Sequence, residues 1–198
     1  MSLGTIVVLN GPPRAGKSSI AEEIQASFSG VWMNLGVDGF MRMTPERFRP
    51  GIGLRPGGER PDLEEIVGRL YLALYDSVVA HSRLGINVVV DVGHHDFYSS
   101  PLGILPACAR RLQGLPAWLV GIHCPIDDVL DRRRMTGWPE VPRELVERWE
   151  RAVHRPGVYD LRLDTSLVAP KECAVAILRH IESASPAAFP QLADTLLT

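Results

Sequence analysis

Gly11-Pro12-Pro13-Arg14-Ala15-Gly16-Lys17-Ser18 sets two glycines, a lysine and a hydroxyl at the spacing of a phosphate-binding P-loop. The apolar run Ile6-Val7-Val8-Leu9 precedes it, and Ile20, Ile24 and Phe28 recur four apart behind it. Strand, loop and helix are the context in which successive backbone N–H groups converge on phosphate oxygens. The helix N-terminus adds partial positive charge there. Gly11, Pro12, Pro13, Arg14, Ala15, Gly16, Lys17, Ser18 and Ser19 are therefore the candidate nucleotide-binding residues. In this arrangement Lys17 reaches the β and γ phosphates and Ser18 is a Mg²⁺ ligand.

Two carboxylates follow apolar runs. Val88-Val89-Val90-Asp91 is a strand ending in an acid, the pattern that orients Mg²⁺ beside a P-loop, with a turn or helix cap as the alternative. Gly36-Val37-Asp38 offers a candidate catalytic acid/base, with an Asx-turn before Gly39 as the alternative. A carboxylate is too weak a base to deprotonate an alcohol outright. In a loose phosphoryl-transfer transition state it chiefly orients the hydroxyl and receives its proton late. The run Asp131-Arg132-Arg133-Arg134 closes a helix, and Gly137, Pro139 and Pro142 interrupt the pattern before a second helix with Arg143, Arg148 and Arg151. These arginines either complement the helix dipole or form a lid that neutralises phosphoryl charge.

His94-His95-Asp96 suits substrate contact or loop chemistry better than a metal, because adjacent residues on an extended chain point to opposite faces. His81, His123, His154 and His180 carry no ligand spacing and read as structural or exposed. Trp32, Trp118, Trp138 and Trp149 read as packing residues, since no basic residues interleave with them as in a nucleic-acid platform.

The elements that must position these groups alternate. Strands are expected at residues 5–10, 31–37, 87–92, 117–123 and 159–164. Asn87-Val88-Val89-Val90 is continuous rather than alternating, which suits a central parallel strand covered on both faces. A helix is expected from Asp62, with Glu65 completing a capping box, Ile66, Leu70, Leu74 and Val78 forming its apolar stripe, and Gly85 stopping it. Pro125 with Asp127 and Asp128 opens another helix, and Pro170 with Glu172 opens a last one carrying Val175, Leu178 and Ile181. Residues 43–61 hold four prolines, four glycines and four arginines, which suits a mobile loop beside a site rather than a linker. Residues 185–198 read as a loosely held tail in which Leu192, Leu196 and Leu197 are the residues able to dock. The alternation implies an α/β fold with a five-stranded parallel sheet and helices on both faces. Ligands in such folds bind beyond the carboxyl ends of the strands.

The 198-residue chain suits one domain (residues 1–198), with a lid at about 132–150. A net charge of −2 provides no global field for nucleic acid. Of only two lysines, Lys17 and Lys171, one occupies the P-loop position, which supports a specific role there. Cys108, Cys124 and Cys173 lie too far apart for a zinc or disulfide framework, which points to a reducing compartment. No stretch approaches the ~20 apolar residues of a membrane span, and no signal peptide is evident, so the cytoplasm is the expected location. Assembly into a homo-oligomer is left open.

Taken together these residues resemble the chloramphenicol phosphotransferase-like family of P-loop kinases over about residues 4–182. The resemblance rests on Leu9-Asn10-Gly11 with Ala15-Gly16-Lys17-Ser18, Leu35-Gly36-Val37-Asp38, Val88-Val89-Val90-Asp91 and Val120-Gly121-Ile122-His123-Cys124. It continues in Val153-His154, in the run from Gly157 through Tyr159-Asp160 to Asp164-Thr165, and in Glu172-Cys173-Ala174. The resemblance implies a three-layer P-loop NTPase fold of the small-molecule kinase type, Asp38 as catalytic aspartate and Arg133 as a lid arginine. It also implies ATP and Mg²⁺ as cofactors and a small-molecule hydroxyl, such as one on an antibiotic, as acceptor. The lid stretch Met135-Thr136-Gly137-Trp138-Pro139 lacks the family's Arg-Gly-Asp-Arg-like segment, so Arg143 or Arg148 stands as a replacement. Val92-Gly93-His94-His95 departs from the family's acidic and apolar stretch, which implies a different acceptor pocket.

Three functions compete at this point. The first is an ATP-dependent phosphotransferase acting on a small alcohol. The second is a kinase for a nucleoside, cofactor precursor or RNA end. The third is a nucleotide-binding switch, although no Asn-Lys-x-Asp guanine signature is present.

Overall fold

A computed structural model describes residues 2–49, 60–155 and 157–194. Five parallel strands form one sheet in the order β2-β3-β1-β4-β5. They are β1 (Ile6–Asn10), β2 (Trp32–Asn34), β3 (Asn87–Val92), β4 (Ala117–His123) and β5 (Leu161–Asp164). Each of the five expected strands forms. β2 is the shortest because Gly36 already lies against Asp91, where an added Cβ would sit 3.2 Å from the Asp91 Cβ. The chain then turns into α2 (Val37–Met43) instead of extending to residue 37. Asp38 consequently stands in the first turn of a helix, a position the sequence reading did not assign.

The central strand is buried along its whole length, so successive residues feed two cores. Ile6 and Val8 pack with Val88, Val90 and Leu119 under α3 (Pro61–Arg83), α4 (Ile104–Arg111) and α8 (Ala188–Ala193). Val7 and Leu9 pack with Val89, Val120 and Ile122 under α1 (Lys17–Ser27), α6 (Arg143–Val153) and α7 (Pro170–Ser183). α5 (Ile126–Met135) adds Val129 to this second core. Ile20, Ile24 and Phe28 are the buried face of α1, as their spacing requires.

Two local expectations fail, and a third holds in modified form. The capping box at Asp62 does not form: Arg60 is the N-cap of α3, and the Asp62 carboxylate takes two hydrogen bonds from the Arg60 guanidinium at 2.9 and 2.8 Å. The apolar stripe of α3 serves two surfaces: Leu74 and Val78 are buried with Ile66 packed against them, while Leu70 and Leu74 line a cavity with Val67 and Tyr71. The segment after α7 is not loose over residues 188–193. Phe189 and Leu192 are buried, and the Asp160 carboxylate accepts hydrogen bonds from Ala187 N (2.7 Å) and Ala188 N (3.0 Å) while holding Leu119 N of β4 (2.8 Å). Leu196, Leu197 and residues 50–59 of the 43–61 loop lie outside the described residues.

No described helix is long and apolar enough to cross a membrane. Cys108, Cys124 and Cys173 are buried free thiols.

Candidate active site

The P-loop folds as its glycines dictate. Gly16 takes φ 91° and Arg14 takes φ 71°, two left-handed residues two apart that turn the backbone N–H groups to a common side. At Gly11 no side chain fits, because a Cβ would stand 2.4 Å from the Ile122 carbonyl oxygen. Turning N–H groups inward turns carbonyls outward, and those need donors. Arg132 of α5 gives one hydrogen bond to Arg14 O (3.3 Å), while Thr165, just past β5, donates to Ala15 O (2.8 Å). Arg132 also donates to Thr165 Oγ1 (3.0 Å) and Thr165 O (2.7 Å), so the two residues clasp the loop from outside.

Inside the cradle, Lys17 Nζ donates to Pro12 O (2.9 Å) and lies 3.5 Å from Asp91 Oδ1. Ser18 Oγ donates to Asp91 Oδ2 at 2.7 Å. The hydroxyl and carboxylate that the sequence paired as Mg²⁺ ligands therefore meet directly. A hard oxygen pair beside a lysine and a nest of N–H groups fits a magnesium–nucleotide.

A cavity of about 700 Å³ opens on this cradle. Lys17, Ser18 and Asp91 line it together with Asp38. Its other wall is apolar and aromatic, with Phe40, Leu70, Tyr71, Leu74 and Tyr98 joined by His95. The His95 and Tyr98 rings lie 4.6 Å apart. Asp38 is solvent-exposed. It also acts on Arg14: burial lowers the pKa of that guanidinium, and the Asp38 charge pushes it back up. Arg14 stacks on Trp138, its guanidinium carbon 4.2 Å from the ring centroid. Trp138 thus contacts a P-loop residue rather than serving the core, and it also lines the cavity.

Of the two neighbouring arginines, the structure sends Arg132 to the cavity and Arg133 inward. Arg133 is 2% exposed, donates to Pro139 O at 2.7 Å, and lies 5.6 Å from the ring centroids of both Trp138 and Trp149. Burial, then the Arg14 charge, lowers its pKa. One residue of offset on a helix is a rotation of about 100°, which a spacing argument does not resolve. Arg132→Ala is expected to weaken nucleotide binding by about tenfold, the worth of one charge-assisted hydrogen bond to the loop. Arg133→Ala is expected mainly to lower the melting temperature, because it leaves a void between two tryptophans. Nucleotide titration and thermal unfolding of both variants separate the two roles; the opposite pattern would restore Arg133 to the phosphates.

Behind the cradle runs a polar chain that explains several of the motif residues. Asn10 donates to Val153 O (3.0 Å) and Tyr159 OH (2.9 Å) and accepts from His94 N (2.8 Å). The Tyr159 ring lies flat against β4 at Gly121, where a Cβ would come within 2.8 Å of it. Glycine in a central strand costs stability, and here the close approach of the tyrosine explains it. His94, buried, shares a 2.8 Å hydrogen bond with Tyr75 OH through Nε2. Burial, with a smaller push from His95, holds its pKa at about 3, well under the ordinary 6.5. The adjacent histidines thus divide as an extended chain requires, His94 into the core and His95 onto the cavity.

The His94 shift has a measurable sign. Above an unfolded-state pKa near ~6.5 the ring is neutral in both states and costs nothing. As pH falls below that value, only the unfolded chain takes up the proton, so stability drops by up to about 1.4 kcal/mol per pH unit until the folded-state value is reached. Denaturant unfolding at several pH values between 7 and 4 should show this slope, and His94→Gln should flatten it. An equal slope in the variant would assign the acid sensitivity to other groups.

One cluster had no signal in the sequence. His123 at the end of β4 comes together with Glu150 and His154 of the α6 region, their facing atoms all within 4.8 Å of one another.

Comparison with known proteins agrees with this geometry. The family model described as chloramphenicol phosphotransferase-like protein matches residues 4–182. A Mycobacterium tuberculosis protein provisionally named an O-phosphotransferase is 26% identical over 218 residues, covering 100% of this chain and 92% of its own. Among solved structures, the Deinococcus radiodurans tunicamycin resistance protein superposes with a TM-score of 0.63 at 18% identity, covering 93% of this chain and 99% of that one. The Mycobacterium tuberculosis APS kinase CysC, in complex with AMPPNP and APS, gives 0.64 at 16% identity, covering 92% and 100%. Acinetobacter baumannii shikimate kinase in complex with shikimate gives 0.62 at 16%, covering 91% and 94%. The fold is that of the P-loop kinases, and the chain belongs to the chloramphenicol phosphotransferase-like family.

Proposed function

We propose that this protein transfers the γ-phosphoryl group of ATP to a hydroxyl of a small molecule with an apolar, ring-bearing body, as a chloramphenicol-like antibiotic has. One observation carries the reading: a single cavity joins Lys17, Ser18 and Asp91 at one wall to Phe40, Tyr71, Tyr98 and His95 at another, with Asp38 on the same lining. A nucleotide-binding switch needs no such second wall. Membership of a phosphotransferase family supports the reaction class.

In this reading the P-loop N–H groups and Lys17 hold the phosphates. Arg132 and Thr165 keep the loop in its inward-facing form. Ser18 and Asp91 would hold Mg²⁺, which when bound neutralises charge on the transferring group. Asp38 orients the acceptor hydroxyl and takes its proton as the new O–P bond forms and ADP leaves. The aromatic wall excludes water, which would otherwise compete as acceptor.

The test is ADP release from ATP and Mg²⁺ against a library of hydroxyl compounds that includes chloramphenicol, with the product identified by mass as the phosphate monoester. Acceptor-dependent release restricted to compounds with an apolar ring supports the proposal. Nucleotide binding without acceptor-dependent release across the library would overturn it in favour of a switch.

A further inference from the structure

The cluster of His123, Glu150 and His154 lies outside the phosphate cradle and serves none of the steps above. Glu150 Oε1 stands 3.5 Å from His123 Nδ1 and 3.3 Å from His154 Nε2. The two imidazoles stack with centroids 3.8 Å apart and planes 20° from parallel.

Hydrogen bonding anchors one ring nitrogen of His154. Its Nδ1 lies 2.8 Å from Tyr159 OH. That hydroxyl accepts from Asn10 Nδ2 at 2.9 Å and donates toward Val153 O at 3.4 Å. In the tautomer that carries its proton on Nδ1, the hydroxyl accepts from His154 Nδ1–H and Nε2 keeps its lone pair towards Glu150. This is the arrangement in which a histidine serves as a metal ligand, one nitrogen free and the other anchored to a fixed group. Glu150 Oε2 and His154 Nε2 are buried without a hydrogen bond, and so is His123 Nε2. Buried polar atoms of this kind call for a partner.

We infer that His123 Nδ1, His154 Nε2 and the Glu150 carboxylate form a binding site for one borderline divalent cation of the zinc class. The donor chemistry selects it: two imidazoles and one carboxylate suit Zn²⁺, Co²⁺ or Ni²⁺, whereas Mg²⁺ and Ca²⁺ take oxygen ligands. A bound cation lies in the plane of each imidazole it ligates, so ligation opens the two rings about χ2 from their stack. The consequence is mechanical. His123 belongs to the sheet, while Glu150 belongs to, and His154 caps, the helix whose Trp149 and Val153 line the cavity, so the cation would tie that wall of the cavity to the end of β4.

The experiment uses the untagged full chain, freed of metal by chelation and titrated without nucleotide. Zn²⁺ is expected to bind one per chain by calorimetry and to raise the melting temperature. Co²⁺ is expected to develop visible ligand-field bands, and the ring ¹⁵N signals of His123 and His154 should shift. Glu150→Gln, which keeps the shape, and His123→Ala should each weaken binding by more than the about 10–100-fold that losing an outer partner of a metal ligand costs. If His123→Ala fails to fold, Glu150→Gln and the histidine signals still decide. No one-to-one binding, unshifted His123 and His154 signals, or unchanged affinity in Glu150→Gln would overturn the proposal.

Discussion

Lys17→Ala should lower kcat/KM for phosphoryl transfer by at least about 10³-fold. Removing one positioned donor from a developing anion already costs about 10²–10³-fold, and Lys17 adds a full charge to its hydrogen bond. The side chain is buried against the loop, donating to Pro12 O and standing 3.5 Å from Asp91. Its loss therefore also leaves Asp91 without its cation. Thermal unfolding must accompany the kinetics, because a variant that does not fold says nothing about phosphates. A folded variant that turns over at the parent rate would remove the P-loop from the mechanism.

Asp38→Asn should behave differently. A general base is worth about 10²–10⁴-fold, so kcat should fall in that range. Asp38 is exposed in the first turn of α2 and no described hydrogen bond uses its side chain in packing, so the melting temperature should hold. ATP affinity should change little, since Ser18 and Asp91 remain to meet the metal. A parallel loss of ATP affinity would make Asp38 a metal or positioning residue instead. The pair of variants therefore separates phosphate binding from acceptor activation: one loses both, the other only the second.

The sequence was most legible where many weak signals agreed. Ile6 to Leu9 and Val88 to Val90 are apolar at every position, and only a strand covered on both faces buries them all. The P-loop was legible because its glycines answer steric demands, at Gly11 and Gly16, that no other residue meets. Short elements were not. α2, α4 and α8 have seven, eight and six residues, too few turns to show a helical period. Helix rotation was also hidden: residues 132 and 133 are both arginine, and only the packing of Trp149 and Trp138 decides which one is buried. The histidine–glutamate cluster joins a strand end to a distant helix: Glu150 and His154 are four apart, but nothing in the sequence ties that pair to His123. The motif residues Gly121, Tyr159 and Thr165 were noticed through resemblance. Their reasons are tertiary, a ring lying on a strand and a hydroxyl holding a loop carbonyl.

The matched family segment stops at residue 182, and α8 begins at Ala188. A truncation drawn at that family boundary would amputate the plug formed by Phe189 and Leu192 and leave the Asp160 carboxylate without its two amide partners from Ala187 and Ala188. What was interior lining beside α4 would become sticky exterior. Recombinant versions should therefore be cut no earlier than the end of α8, or the shortened protein is expected to precipitate for reasons unrelated to its chemistry.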